Sequence, residues 1–359
     1  GGLDSSAIAS SACKSSNYSL KSYCAGFDFI EQNNEYKKAE EVASFLGLDH
    51  TSIPISGLNL EPTINKMVEA HDQPFADAAN IPLYLMCKKI SNKHKVVLQG
   101  DGGDELFGGY NKYLFLKYKS LLKLIPDSLF SLITKVSGSY GTRINRLNKS
   151  LKNSDEVFLN ALLSTTETLQ CRPEKLLIEE KSQFLIENLD PFLSYRNAIN
   201  RFSHCEPLQK TLLIDMVTEL PSVFLNKVDR ASMAASVEAR VPLLDENLIK
   251  FAINLPSYLK ISGINRKYIL KKALERRIPK KIINMPKTGF GVPYGNWLKN
   301  TLFEFTSERI LDKTFLDYFN FDKLKVEECL FELKNNKNKF MIWKLLQLSL
   351  SKAWIDSIN

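Results

Sequence analysis

Residues 96–110 read Val96-Val97-Leu98-Gln99-Gly100-Asp101-Gly102-Gly103-Asp104-Glu105-Leu106-Phe107-Gly108-Gly109-Tyr110. A short apolar run that breaks into five glycines and three carboxylates is built for a ligand, because a plain connection needs far less of either. The glycines allow backbone angles and close approaches that a side chain forbids. Asp101, Asp104 and Glu105 put hard oxygen donors at the carboxyl end of a strand, the edge where open α/β sheets take their ligands. Val96 to Leu98 are expected to form a buried strand.

The chain opens with a second such turn, Gly1-Gly2-Leu3-Asp4-Ser5-Ser6, followed by small and apolar residues. Ala7, Ile8, Ser11 and Ala12 have helical spacing, which predicts a helix from about Asp4 or Ser5. A glycine turn opening a helix offers free N–H groups and the positive dipole end to a phosphate. Ser5 and Ser6 add hydroxyl donors, and Asp4 is placed to hold a magnesium ion against the phosphates. No Gly-Lys-Ser/Thr follows, so this is not a Walker loop.

Strand and helix signals alternate through the first 110 residues. Leu20 to Ala25 read as a strand ending at Gly26. Ala39, Val42, Ala43 and Leu46 form a helix stripe stopped by Gly47, and His50 to Ile53 read as another strand. Asn80 is expected to cap a helix that turns Leu83, Leu85, Met86 and Ile90 inward. This alternation predicts a doubly wound, mostly parallel sheet over residues 1–118, followed by a mainly helical region over 119–359 that completes the site. Residues 137–154, rich in Ser, Asn, Lys and Gly, read as a loop or linker.

Together the two turns resemble the N-type ATP pyrophosphatases, in particular their asparagine synthetase branch. Gly1 to Ser6 match the pyrophosphate loop without its leading Ser, and Gly100 to Tyr110 match the second signature. Further stretches agree in the right order: Val228-Asp229-Arg230-Ala231-Ser232-Met233, Glu238-Ala239-Arg240-Val241-Pro242-Leu243-Leu244-Asp245, Pro286-Lys287-Thr288-Gly289-Phe290-Gly291-Val292-Pro293, and Trp297-Leu298. The resemblance implies the adenine-nucleotide hydrolase type of fold and ATP-dependent amidation of a carboxylate through an acyl-adenylate, with aspartate as the expected acceptor. A sugar uronic acid or another carboxylate is the alternative acceptor. A tRNA-modifying relative is the more distant one, disfavoured by the lack of a catalytic cysteine pair.

The same resemblance assigns roles. Gly1, Gly2, Asp4, Ser5 and Ser6 are expected to bind the β- and γ-phosphates. Asp4 and Asp104 are expected to hold Mg2+. Gly100 lets AMP approach the backbone, Ala25 and Gly26 lie where the family seats adenine, and Lys271 sits on the phosphate side with Lys267. Lys287 is expected to face the departing pyrophosphate. Asp101 stands where the best-known asparagine synthetases have Glu, so its reach as a general base is shorter by a methylene. Glu105, Glu238 and Arg240 are candidates for the acceptor pocket or an ammonia channel, a buried structural pair being the equal alternative for the last two. Asp229 and Arg230 read as an interior ion pair, and His71 as structural. The glutaminase domain that would supply ammonia from glutamine is not recognisable, and Gly1 begins within a motif, so the chain reads as a fragment lacking also the strand before Gly1.

Composition is consistent with that class. The 359 residues are 44% hydrophobic and 25% charged, with a net charge of +8. The charge is uneven: residues 1–120 carry 12 Lys against 14 acids, and residues 121–359 carry 36 basic against 26 acidic side chains. An acidic phosphate-handling half needs a metal cation to accept ATP, whereas the basic half shows no nucleic-acid module. Six scattered cysteines argue against a zinc site or a disulfide framework and for a reducing cytoplasm. The most apolar stretch, Leu121 to Ile133, is too short to span a bilayer. No nucleic-acid or membrane partner is expected; a homodimer stays open.

Overall fold

The computed structural model describes residues 1–27, 35–55, 60–122, 124–126, 128–129, 176–188, 193–285, 291–335 and 341–358. Helix α1 (Leu3–Ser15) starts directly at the glycine turn, with Gly2 extended at φ −77° and ψ 162° as its cap. Strand β1 (Lys21–Gly26), helix α2 (Glu35–Leu46) and strand β2 (Asp49–Pro54) form a parallel crossover unit, paired from Lys21↔Asp49 to Gly26↔Pro54. Gly47 ends α2 at φ +67°, a left-handed C′ conformation that only glycine adopts without strain.

Helices α3 (Leu60–His71) and α4 (Asn80–Ile90) lead to strand β3 (Val96–Leu98), and the glycine-rich stretch then turns into the short helix α5 (Gly103–Phe107) and α6 (Asn111–Lys117). Later in the chain come α7 (Pro207–Val217), α8 (Asn226–Met233) and strand β4 (Glu238–Arg240), which pairs parallel with β3. A two-residue hairpin, Ile261–Ser262 with Asn265–Arg266, precedes α9 (Tyr268–Leu274). Helices α10 (Tyr294–Lys299), α11 (Phe303–Ile310), α12 (Lys323–Lys334) and α13 (Met341–Ile358), with a short helix at Lys313–Phe319 between α11 and α12, make up the described C-terminal part.

One core joins early and late segments. Ile64, Met67 and Val68 of α3 share it with Ala231 of α8, Leu298 of α10, Ile310 of α11, Leu330 of α12 and Leu348 of α13. Each fully buried aliphatic chain there contributes roughly 1.5–3 kcal/mol. A smaller core seats α1 and α2 through Ala7 and Val42 against Leu274, Ile278 and Ile282. The first glycine turn is therefore held, through α1, against residues 274–282 from much later in the chain.

The fold is largely helical with small parallel sheets, and three expectations change. Among the described residues β1–β2 and β3–β4 are separate pairs; no single doubly wound sheet joins them. Tyr23 of β1 reaches His94, just before β3, with 2.7 Å between its hydroxyl and Nε2, but both strands border a cleft instead of pairing. Nor is β3 buried: Val96 and Leu98, two apart and so on one face, are 42% and 50% exposed. Asn80 lies inside α4, not at its cap. The Asp77 carboxylate accepts the Ala79 N–H there, and the buried face is Ile81, Tyr84, Cys87 and Ile90, leaving Leu83 and Met86 for the cleft. The 137–154 segment lies outside the described residues.

Candidate functional site

The two glycine turns meet. A β-carbon on Gly100 would lie 2.6 Å from the Ser5 nitrogen and 2.7 Å from the Asp4 carbonyl carbon, so the tip of β3 touches the first turn of α1 only because residue 100 has no side chain. This contact aims the Asp4 carboxylate toward Asp104, which is buried in the first turn of α5.

Lys267 closes the arrangement. Its Nζ lies 2.6 and 2.5 Å from the two carboxylate oxygens of Asp4 and 2.6 Å from Oδ1 of Asp104. The residue is 5% exposed and left-handed at φ +51°, immediately before α9. Gly109 makes room for this: a β-carbon there would fall 2.2 Å from Lys267 Cε and 1.7 Å from Asp104 Oδ1. Arg266 Nη1 donates to the Gly109 carbonyl at 2.7 Å, fixing the two backbones together.

A cleft of about 560 Å³ opens over this cluster, a volume suited to a small-molecule substrate. Gly1, Gly2, Asp4 and Ser5 form one wall, Tyr23 to Ala25 with Leu83 and Met86 a second, and Leu98 to Gly102 with Asp104 a third. Glu105, Tyr110, Phe224, Lys227 and Val228 close the far end.

That end holds a buried carboxyl with a raised pKa. The Tyr110 hydroxyl donates to Glu105 Oε1 at 2.6 Å. Burial pushes the Glu105 carboxyl up to about 7, against the lowering effect of that hydrogen bond. Lys227 Nζ donates to Asp77 Oδ2 at 2.8 Å, which ties α8 to the turn before α4. Behind them Lys112 bridges Asp215 and Glu219, and the Tyr113 hydroxyl donates to Asp215 Oδ2 at 2.5 Å. Burial alone lowers the Lys112 ammonium, but Asp215 and then Glu219 hold it charged.

Asp4 and Asp104 fit a divalent cation. Both reach the same nitrogen, so their oxygens are no further apart than the two contacts combined. Carboxylates so spaced suit a hard ion that takes oxygen ligands at about 2.0–2.6 Å. The remaining coordination positions of such an ion would face the cleft and its substrate.

Of the sequence candidates, Gly1, Gly2, Asp4, Ser5, Ala25, Gly100, Asp101, Asp104 and Glu105 come together around the cleft. Ser6 stands behind it, its hydroxyl donating to the Gly2 carbonyl at 2.7 Å. Gly26 is also set back, its carbonyl accepting from Tyr36 at 2.5 Å. Lys271, one turn beyond Lys267, is half-buried, and burial, then Arg266 and Lys267, lower its ammonium. Glu238 and Arg240 are not among the residues that line the cleft. Two apart on β4, they share a face and pair with each other at 2.6 Å, exposed, so they are no buried pair, although Arg240 stands beside the cleft-lining Leu98 in the strand register. Asp229 and Arg230, expected as an interior ion pair, are both exposed, and as neighbours on a helix they do not face each other. His71 is buried against the Phe75 ring at 4.1 Å, and burial pushes its imidazole down to about 4. Lys287 lies outside the described residues. Sequence reasoning overlooked Phe224 and Lys227, although Lys227 directly precedes a quoted motif. It quoted Tyr110 without a role, and it put Lys267 with Lys271 on the phosphate side without foreseeing the contact with Asp4 and Asp104.

Comparison with known proteins defines the class. Residues 1–356 match the asparagine synthase family, and the chain belongs to it. It is 31% identical to the glutamine-hydrolyzing asparagine synthetase 1 of Bacillus subtilis strain 168, over 97% of this chain and 55% of that protein. It is 25% identical to asparagine synthetase 3 of the same bacterium, over 81% of this chain and 44% of that one. The chain spans about half the length of the curated relatives it matches. No helix among the described residues is long and apolar enough to cross a membrane.

Proposed function

We propose that this chain is the synthetase part of a ligase that converts a carboxylate to an amide while cleaving ATP to AMP and pyrophosphate, with aspartate as the acceptor and glutamine-derived ammonia as the nitrogen source. The observation that carries this reading is the meeting of two glycine turns that bring Asp4 and Asp104 to the lining of one cleft, with the buried Lys267 ammonium in contact with both.

The chemistry proceeds in two displacements. A carboxylate oxygen of the acceptor attacks the α-phosphorus, the bond to the pyrophosphate oxygen breaks, and an acyl-adenylate forms. Ammonia then attacks the acyl carbon, AMP leaves with the bonding pair, and one proton is lost. Activation is needed because hydroxide is a poor leaving group and AMP a far better one. A magnesium ion held by Asp4 and Asp104 would offset charge on the phosphate oxygens.

The chain's own groups then have defined tasks. The N–H groups at the start of α1, with Gly1, Gly2 and Ser5, receive phosphate oxygens. Ala25, at the end of β1, borders the adenine, and Gly100 lets the AMP portion lie against the backbone. Lys287 offers a compact positive charge to the departing pyrophosphate. Asp101, on the cleft wall, takes the proton that ammonia loses, and Glu105 with Tyr110 shapes the acceptor end.

Supplying ATP, aspartate and ammonium and following nucleotide products by chromatography tests this directly. AMP and pyrophosphate formed in equal amounts with asparagine support it; ADP as the product overturns it. Aspartate-independent release of pyrophosphate with a sugar acid would move the acceptor while keeping the reaction.

A further inference from the structure

Lys267 stands out because its ammonium sits between the two carboxylates that a divalent cation would have to join. It contacts Asp4 at 2.5 Å and Asp104 at 2.6 Å while 5% exposed. This is not a surface lysine that has folded over by chance. Its backbone is left-handed, uncommon for a long side chain, and Arg266 fixes the neighbouring backbone to Gly109. Gly109 itself is needed for the lysine stem to pass, since a β-carbon there would overlap both Lys267 and Asp104.

An ammonium and a divalent cation cannot share that place. Asp4, Asp104 and Lys267 together carry one net negative charge; with the ammonium removed the two carboxylates lose the charge that bridges them, and Arg266 still acts on Asp104 from its place beside Gly109. Two bare carboxylates attract a divalent cation far more than a pair already bridged by a cation. The ammonium, carried on a four-carbon stem, can leave only if another anion receives it. On the nucleotide-site reading, the triphosphate supplies such an anion in the cleft that Asp4 and Asp104 line.

We propose that Lys267 is a built-in counter-ion that keeps divalent cations from binding this site until nucleotide arrives, so that metal and ATP load together. The lysine holds Asp4 and Asp104 in register beforehand and passes its place to the metal as the phosphates enter. This makes Lys267 a positioning residue, and the inference rests on the nucleotide-site reading above.

The test is Mn2+ binding, read from the loss of the free-ion electron paramagnetic resonance signal beyond the loss that the nucleotide alone causes, with and without a non-hydrolysable ATP analogue. For the chain as it stands, Mn2+ alone should bind weakly, and the analogue should tighten it by roughly 5- to 150-fold, the usual span for coupled sites. Lys267→Met should bind Mn2+ without nucleotide at least about tenfold more tightly than the parent. If the paired carboxylates destabilise that variant, Mn2+ alone should raise its melting temperature and leave the parent's unchanged. The proposal is overturned if the parent binds Mn2+ equally well without nucleotide, or if Lys267→Met gains neither affinity nor Mn2+-dependent stability. Failure of the parent to bind Mn2+ even with the analogue would overturn the nucleotide-site reading and this proposal with it.

Discussion

Gly100 and Asp4 are pressed together so closely that a β-carbon on Gly100 would lie 2.9 Å from the Asp4 β-carbon. Nearly a hundred residues separate them in the chain, yet this contact determines where the Asp4 carboxylate points. Relief would require moving backbone, either the tip of β3 or the first turn of α1. Gly100→Ala should therefore weaken binding of an ATP analogue by at least about tenfold, one tenfold step being about 1.4 kcal/mol. Isothermal titration calorimetry checks this, and an unchanged affinity would remove the contact from the site's architecture.

Glu105 gives a pH prediction. Its carboxyl is pushed up to about 7 by burial, from an ordinary value near 4.5. A folded-state value above the unfolded one means that the protonated form is favoured by folding. The stabilisation is full below about 4.5 and is lost as pH rises through about 7. Glu105→Gln keeps an acceptor for the Tyr110 hydroxyl and removes the ionisation. Its stability relative to the parent should climb between those two pH values, by an amount on the order of 3 kcal/mol, and then level off. Denaturant melts at a series of pH values would show the difference curve; a flat one refutes the assignment.

Lys112 is the structural counterpart. Asp215 is fully buried, with Lys112 as its ion-pair partner and Tyr113 as its hydroxyl donor. Lys112→Met should cost about 3–5 kcal/mol, because it leaves a buried carboxylate without its counter-charge. The double variant Lys112→Met, Asp215→Asn should recover part of that loss. Urea unfolding of the single and double variants measures both, and strict additivity would deny the coupling.

Lys287 carries the kinetic prediction. If its charge meets the pyrophosphate only as that group departs, Lys287→Ala should lower kcat by roughly 10²–10³-fold. The KM for ATP should change much less, since the interaction belongs to the transition state. Pyrophosphate release under saturating ATP separates the two. An effect confined to KM would make Lys287 a ground-state binding residue.

The sequence by itself determined the two glycine turns, the parallel β1–α2–β2 unit with its Gly47 stop, and the presence of Asp4, Asp101, Asp104 and Glu105 at strand and helix ends. These follow from local rules, since glycine content, periodicity and capping act over a few residues. Only the tertiary structure decided the rest. The pairing of β3 with β4 and its separation from β1–β2 depend on contacts between segments far apart in the chain. So does the role of Lys267: nothing in Asn265-Arg266-Lys267-Tyr268 distinguishes it from the lysines that follow. Its buried position arises because the hairpin before α9 delivers a left-handed residue against Gly109, where two carboxylates from remote turns already converge. Charge that is cheap in water becomes decisive once it is enclosed, and enclosure belongs to the folded chain alone.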